Sequence, residues 1–170
     1  MTLADINRLG RADCVAKLGA IFEHSPWLAE RAIAQRPFAN LDALHAAMMA
    51  AAHAAPLADR LALIRAHPEL AGSEAVAGSL TAESTSEQSR LGFNALSGKE
   101  FARMAELNRR YREKFGFPCI VALKLHGARA AVIAEFERRL GNGRDAEMQN
   151  ALDQISHISR GRLEALIGKG

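Results

Sequence analysis

Only one stretch of this 170-residue chain, Phe117-Pro-Cys-Ile-Val-Ala-Leu123, has strand-like content. A lone strand leaves its backbone N–H and C=O groups without a ladder to join, and Pro118 removes one donor at its start. The segment therefore reads as an extended stretch packed between helices and not as part of a sheet. Elsewhere the apolar residues, largely Ala and Leu, favour helix and recur at its 3.6-residue period. The chain is expected to form one all-α domain over residues 1–170. It should be a helical bundle with a short extended segment near 117–123.

Individual helices follow from the same period. Cys14/Val15, Leu18 and Ile21/Phe22 make one stripe, expected to end near His24. Ser25-Pro26-Trp27 then reads as an N-cap followed by proline at the first helical position, opening a helix to about Gln35. Trp27 reads as a core anchor or an interface residue. Asn40 should cap a helix facing inward through Leu41, Leu44 and Met48, and Pro56 should precede one carrying Leu57, Leu61 and Ile64. Ser84-Thr-Ser-Glu87 and Ser97-Gly-Lys-Glu100 both have capping-box spacing. The second opens a long helix with Phe101, Met104, Leu107/Asn108 and Tyr111, closed by Gly116. Val132, Ile133, Phe136 and Leu140 mark another, ended by Gly141-Asn-Gly143. Asp145 opens the last, with Met148, Leu152, Ile155, Ser159, Arg162 and Leu166 on one stripe.

Several function classes are disfavoured. The net charge of +3 and the basic pI could suggest nucleic acid, but residues 1–100 carry 9 Lys+Arg against 11 Asp+Glu and residues 101–170 carry 13 against 8. No recognised nucleic-acid module accompanies that excess. No uninterrupted apolar run of about 18 residues exists, which argues against a membrane span. The N-terminus lacks a basic region with a long apolar run, so no signal peptide is expected, and Gly168-Lys-Gly170 is not a peroxisomal address. Cys14 and Cys119 define neither a metal spacing nor a disulfide framework, so a reduced, cytoplasmic protein is expected. The six histidines show no metal-ligand spacing either; His45 and His53 could share a helix face, where a solvated or half-buried role is the plainer explanation.

Two segments concentrate polar groups of catalytic type. In His67-Pro-Glu-Leu-Ala-Gly72 the proline forces His67 out of helical geometry at a helix exit. In Leu80-Thr-Ala-Glu-Ser-Thr-Ser-Glu-Gln88, residues Ser84, Glu87 and Gln88 share one helical face. The plain alternative is that Ser84 and Glu87 satisfy the orphan N–H groups of a helix start, which leaves Gln88 unexplained. The two roles are compatible, since a helix N-terminus also suits an anionic ligand. Arg162 stands on what should be an apolar stripe. It either snorkels to solvent or points its guanidinium at a carboxylate or urea-like group.

These segments, together with Asn108-x-x-Tyr111, Lys114-Phe-Gly-Phe-Pro118, Ile158-x-x-x-Arg162-Leu163 and Ser25-Pro26-Trp27, occur in the order found in one family. The chain closely resembles 2-oxo-4-hydroxy-4-carboxy-5-ureidoimidazoline (OHCU) decarboxylases over essentially its whole length. The resemblance implies an all-α, cofactor-free and dimeric enzyme that ends the conversion of urate to (S)-allantoin. By motif, His67 is implied as the proton-transfer residue with Pro68 beside it. Ser84, Thr85, Ser86, Glu87 and Gln88 are implied as the substrate-binding helix start, with Glu87 as the second acid/base group. Cys119, Ile120, Val121, Ala122 and Leu123 are implied to meet the flat ring through their backbone, and Arg162 to face the polar end of the substrate. The family commonly has Phe where Cys119 stands and Asp where Glu69 stands.

The implied chemistry suits these residues. In OHCU the departing carboxylate sits on a carbon bearing a hydroxyl, next to a ring C=N carbon bearing the ureido group. Loss of CO2 pushes electrons into that C=N, so no pyridoxal, thiamine or metal is required. What remains is to orient the carboxylate, manage the hydroxyl proton and protonate carbon on one face. An imidazole, with an unperturbed pKa of ~6.5, suits reversible proton transfer near neutrality. The expected partners are this small ureido-imidazoline substrate and a second copy of the chain, with no nucleic acid and no membrane. Rival expectations are a helical interaction module that keeps the capping boxes without the activity, and a lyase acting on a related ureido acid.

Overall fold

Four helices of this protein start where a side chain takes up orphan N–H groups of the first turn. In the computed structural model, which describes residues 1–168, Thr2 and Asp5 do so reciprocally for α1 (Leu3–Arg8), a helix the apolar period does not reveal. Lys169 and Gly170 of the C-terminal Gly-Lys-Gly sequence lie outside the described residues. Among the described residues there are ten α-helices, two 3-10 turns and no strand. The contacts divide it into two compact units, residues 1–66 with those from Ser156 onward, and residues 67–155.

In the first unit, α2 (Arg11–Leu18) stops well short of the expected His24. Gly19 ends it, and a turn with His24 at φ +45° follows. Ile21 and Phe22 are nevertheless buried, so the apolar spacing persists without the helix. The expected Ser25 cap is also replaced: its hydroxyl donates to the Glu23 carbonyl at 2.9 Å, and Pro26 occupies the cap position of α3 (Trp27–Ala32). Trp27 is half-buried, with the Arg31 guanidinium 4.5 Å above its ring, and is not a core anchor. A 3-10 turn, Ile33–Gln35, continues α3 to the expected end.

Asn40 caps α4 (Leu41–His53) as expected, accepting from the Ala43 amide at 2.8 Å. Leu44 and Met48 face the core, while Leu41 is half-buried. In α5 (Leu57–Arg65) the buried pair is Leu63 and Ile64, whereas Leu57 is exposed and Leu61 half-buried. Turning Leu63 inward beside Ile64 rotates the expected face away from Leu57. The C-terminal part of the last helix completes this unit, with Leu163 buried.

The second unit begins with α6 (Ser73–Ala77), which buries no side chain, and α7 (Ala82–Arg90). Next comes α8 (Gly98–Phe115), opened by the expected Ser97–Glu100 capping box and closed by Gly116 at φ +78°. Its buried face is Met104, Leu107, Asn108, Tyr111 and Phe115; Phe101, expected inward, is 43% exposed at the wall of a surface cavity. Residues 117–122 carry no regular structure and pass into a 3-10 turn at Leu123–Leu125, close to the expected extended segment. The chain ends with α9 (Arg129–Arg139) and α10 (Arg144–Ile167), the latter divided between the two units.

The core of this second unit is aromatic at its centre and ionic beside it. Tyr111 lies 4.5 Å from Phe115, 5.5 Å from Phe136 and 6.1 Å from Phe117, centroid to centroid. Arg139 donates to Glu147 at 2.9 Å with both side chains inaccessible to water. Burial would raise the Glu147 carboxyl. Hydrogen bonds from Tyr111, Asn142 and Asn150 and the charge of Arg139 overturn this and hold it below the ordinary carboxylate range.

A carboxyl with a depressed folded pKa contributes stability that is complete above its unfolded value of about 4.3 and is lost as pH falls through the folded one. The Glu147 share of acid unfolding, followed by circular dichroism, should therefore appear only below about pH 4.3. Glu147→Gln should remove that share and lower stability at pH 7 by about 3–5 kcal/mol, because it leaves Arg139 charged and buried.

Candidate functional site

His67 leaves α5 at the first position where Pro68 forbids helix, and its side chain is buried. Glu69, Leu70 and Ala71 of the loop after it are held by other elements. Gln88 of α7 accepts from the Ala71 amide at 3.0 Å and donates to the Glu69 carbonyl at 3.5 Å. Asn108 of α8 donates to the Leu70 carbonyl at 2.8 Å, and Arg112 pairs with the Glu69 carboxylate. Ala71 is held at φ +49°, a conformation disfavoured for any residue with a Cβ. Gly72 is required by close approach, because a Cβ there would lie 2.6 Å from that of Glu69. Three backbone groups of the loop, at Glu69, Leu70 and Ala71, are thus fixed from α7 and α8.

On α7 the cap is Thr81, whose hydroxyl accepts from the Ser84 amide at 3.3 Å. Ser84 is therefore the third helical residue and not a cap, which corrects the capping-box assignment for Ser84 and Glu87. Ser84 and Gln88 point inward and are buried, Glu87 is half-buried, and Thr85 and Ser86 are exposed. An i, i+4 pair of buried polar groups on a short helix has no use as a cap.

All five residues Cys119 to Leu123 are buried, and polar side chains hold their backbone. Arg139 donates to the Ile120 carbonyl at 2.5 Å, and Gln154 accepts from the Ala122 amide at 2.8 Å. Arg90, at the end of α7, donates to the carbonyls of Leu123 and His126. Burial pushes the Cys119 thiol up to about 12. Gln88 thus ties the His67 loop to α7, and Arg90 ties α7 to this segment. Three of the segments singled out in the sequence are joined within one unit.

Arg162 belongs to the other unit. It is buried there and donates to the Glu23 carboxylate at 3.0 Å, so it does not snorkel to solvent. His45, in the same unit, lies 2.9 Å from the Ser159 hydroxyl. Among the described residues no group of His, Cys, Asp and Glu could hold a metal ion. Cys14 and Cys119 are both buried and form no disulfide.

Sequence reasoning missed Glu23, Arg90, Arg139, Glu147 and Gln154. Arg139 carried a readable signal, since it falls on the stripe of Val132 and Phe136 as Arg162 does on its own. A cavity of about 310 Å³ opens on the face of α7 carrying Thr85, Gln88 and Ser89, with Val76, Leu80 and Phe101 in its wall. Neither His67, Glu87 nor the Cys119–Leu123 segment lines it.

Helices without a sheet, framing a clamped histidine loop and a helix with inward polar groups, define an all-α protein with a fixed polar cluster in one unit. The family model for OHCU decarboxylase matches residues 7–164, and the chain belongs to that family. It is 38% identical over 163 residues to the 2-oxo-4-hydroxy-4-carboxy-5-ureidoimidazoline decarboxylase of Haloferax volcanii, spanning 96% of this chain and 94% of that protein. It is 37% identical to the Mus musculus enzyme of the same name over 168 residues, 99% of this chain and 94% of that one. A crystal structure of (S)-allantoin synthase is similar with a TM-score of 0.76 and 28% identity, over 98% of this chain and 54% of that one.

The clamp and the cap are separable by mutation. Thr81→Ala should lower stability by about 1 kcal/mol through the lost cap. Gln88→Leu should deprotect the Ala71 amide in hydrogen exchange by roughly fivefold or more, since a net hydrogen bond of about 1 kcal/mol and its local order are lost.

Proposed function

We propose that this protein catalyses the decarboxylation of OHCU to (S)-allantoin and CO2, the last step from urate to allantoin. The observation that carries this is family membership along nearly the full chain, with near-complete coverage of the Haloferax volcanii and Mus musculus decarboxylases. The buried His67 on a clamped loop and the inward polar face of α7 support it.

In this reading the C–CO2 bond breaks and its electron pair moves through the adjacent ring carbon into the C=N, whose nitrogen takes up a proton. The hydroxyl then gives up its proton to become the ring carbonyl, and the ureido-bearing carbon is protonated on one face. His67 and Glu87 are the groups assigned to these proton movements. Ser84, Thr85, Ser86 and Gln88 belong to the substrate-binding helix start. For Gln88, both polar atoms already bond the loop, so its contribution is to hold the Glu69–Ala71 backbone that follows His67 and Pro68. The backbone of Cys119 to Leu123 receives the ring, and Arg162, whose guanidinium Glu23 fixes, is assigned to substrate binding by its motif alone. The substrate is its own electron sink, so the reaction as written needs no cofactor. No helix among the described residues is long and apolar enough to cross a membrane. A cytoplasmic homodimer completes the proposal.

The direct test is to generate OHCU enzymatically, add the protein and follow the circular dichroism of the allantoin formed. Accelerated appearance of the (S) signal is expected; no acceleration over the spontaneous reaction would refute the function. Glu87→Gln and His67→Asn should each lower kcat by about 10²–10⁴-fold with little change in Tm, as loss of general acid–base assistance requires. An active but destabilised Glu87→Gln protein would assign that residue to the scaffold. Arg162→Lys should mainly raise KM, by roughly tenfold, because lysine lacks the planar fork that grips two acceptors.

A further inference from the structure

The motif Asn108-x-x-Tyr111 has no role in the chemistry above, yet both residues are buried one helical turn apart on α8. Asn108 holds the Leu70 carbonyl of the His67 loop. The Tyr111 hydroxyl donates to Glu147, which accepts from Arg139, whose second arm donates to the Ile120 carbonyl at 2.5 Å. One turn of one helix therefore reaches the backbone of both segments assigned to the substrate, and every group in the chain is buried.

From this geometry we infer that Arg139 is a positioning residue for the decarboxylation. Held by Glu147 and Tyr111, it fixes the Ile120 carbonyl, and with it the backbone on which the substrate ring lies. The inference rests on the OHCU decarboxylase reading for the identity of that ring. Three features set Arg139 apart from a core ion pair that merely fills space. Its planar fork is used in two directions, toward a carboxylate and toward a carbonyl of a segment with no ladder of its own. The carboxylate is fixed in turn by three further donors, Tyr111, Asn142 and Asn150. Apolar residues of similar volume could fill the same space without the desolvation cost of two buried charges. What they could not supply is a fixed donor behind Ile120. A displacement of about 1 Å in such a platform is enough to cost up to about a hundredfold in rate.

The decisive variant is Arg139→Lys, which keeps a positive charge opposite Glu147 but cannot bridge to Ile120 with the same geometry. It should fold, lose about tenfold or more in kcat with a smaller change in KM, and shift the backbone amide resonances of Ile120 to Leu123. Tyr111→Phe removes only the hydroxyl that anchors Glu147. It should change kcat and the same resonances in the same direction by a smaller factor, and it carries the test if Arg139→Lys does not fold. Met104→Ala, a core truncation on α8, should lower Tm while leaving kcat near the wild-type value, separating position from general stability. A folded Arg139→Lys or Tyr111→Phe protein with wild-type kcat and unshifted Ile120–Leu123 amides would overturn the inference. Failure of the wild-type protein to decarboxylate OHCU would refute the functional reading instead, and the amide shifts would still decide whether Arg139 holds the segment.

Discussion

The buried pair of Arg139 and Glu147 is the constraint from which the second unit is organised. Two charges removed from water are costly, and their mutual attraction offsets that cost only when every remaining donor and acceptor is occupied. Here Tyr111, Asn142, Asn150 and the Ile120 carbonyl occupy them. The pair therefore ties α8, α9, the start of α10 and the extended segment to one point. An ionic centre of this kind is weak as a source of stability and strong as a source of unique geometry.

The same logic recurs at smaller scale around His67. A loop with a left-handed alanine and a glycine pressed against a neighbour would be mobile if left to itself. Side-chain amides of Gln88 and Asn108 take its backbone groups, and Arg112 takes its carboxylate. Amides suit this task because each offers a donor and an acceptor on one rigid plane. The two clamps come from different helices, so the loop is fixed by α7 and α8 together. Preorganisation of this sort leaves little backbone motion for the loop to lose when a ligand arrives.

The helical fold and most of its punctuation were legible because they depend on local chemistry. Asn40, the Ser97–Glu100 box and Gly116 act within a turn of where they stand, and the structure shows each in its expected role. What was not legible depends on partners far away in the chain. Ile21 and Phe22 keep a helical spacing from inside a turn because the core, not the backbone ladder, demands their burial. Ser84 has the spacing of a cap but sits three residues inside its helix, because Thr81 outcompetes it for that position. The segments around His67, Ser84 and Cys119 could be recognised as polar or extended in the sequence. The place of Arg139 on an apolar stripe marked it as unusual, but the partners of Arg90 and Arg139 could not be read, since these side chains act on carbonyls 33 and 19 residues away.

Cys119 is buried, and that burial pushes its thiol well above the ordinary cysteine range. Nucleophilic attack, alkylation and oxidation all begin from a thiolate. At neutral pH burial disfavours that form more than it is disfavoured in an ordinary exposed cysteine. A sulfur can therefore sit within the Cys119–Leu123 segment without making it an oxidant-sensitive element. The site should keep its shape in oxidising surroundings that would modify an exposed thiol, with the closed packing around Ile120 acting as the shield.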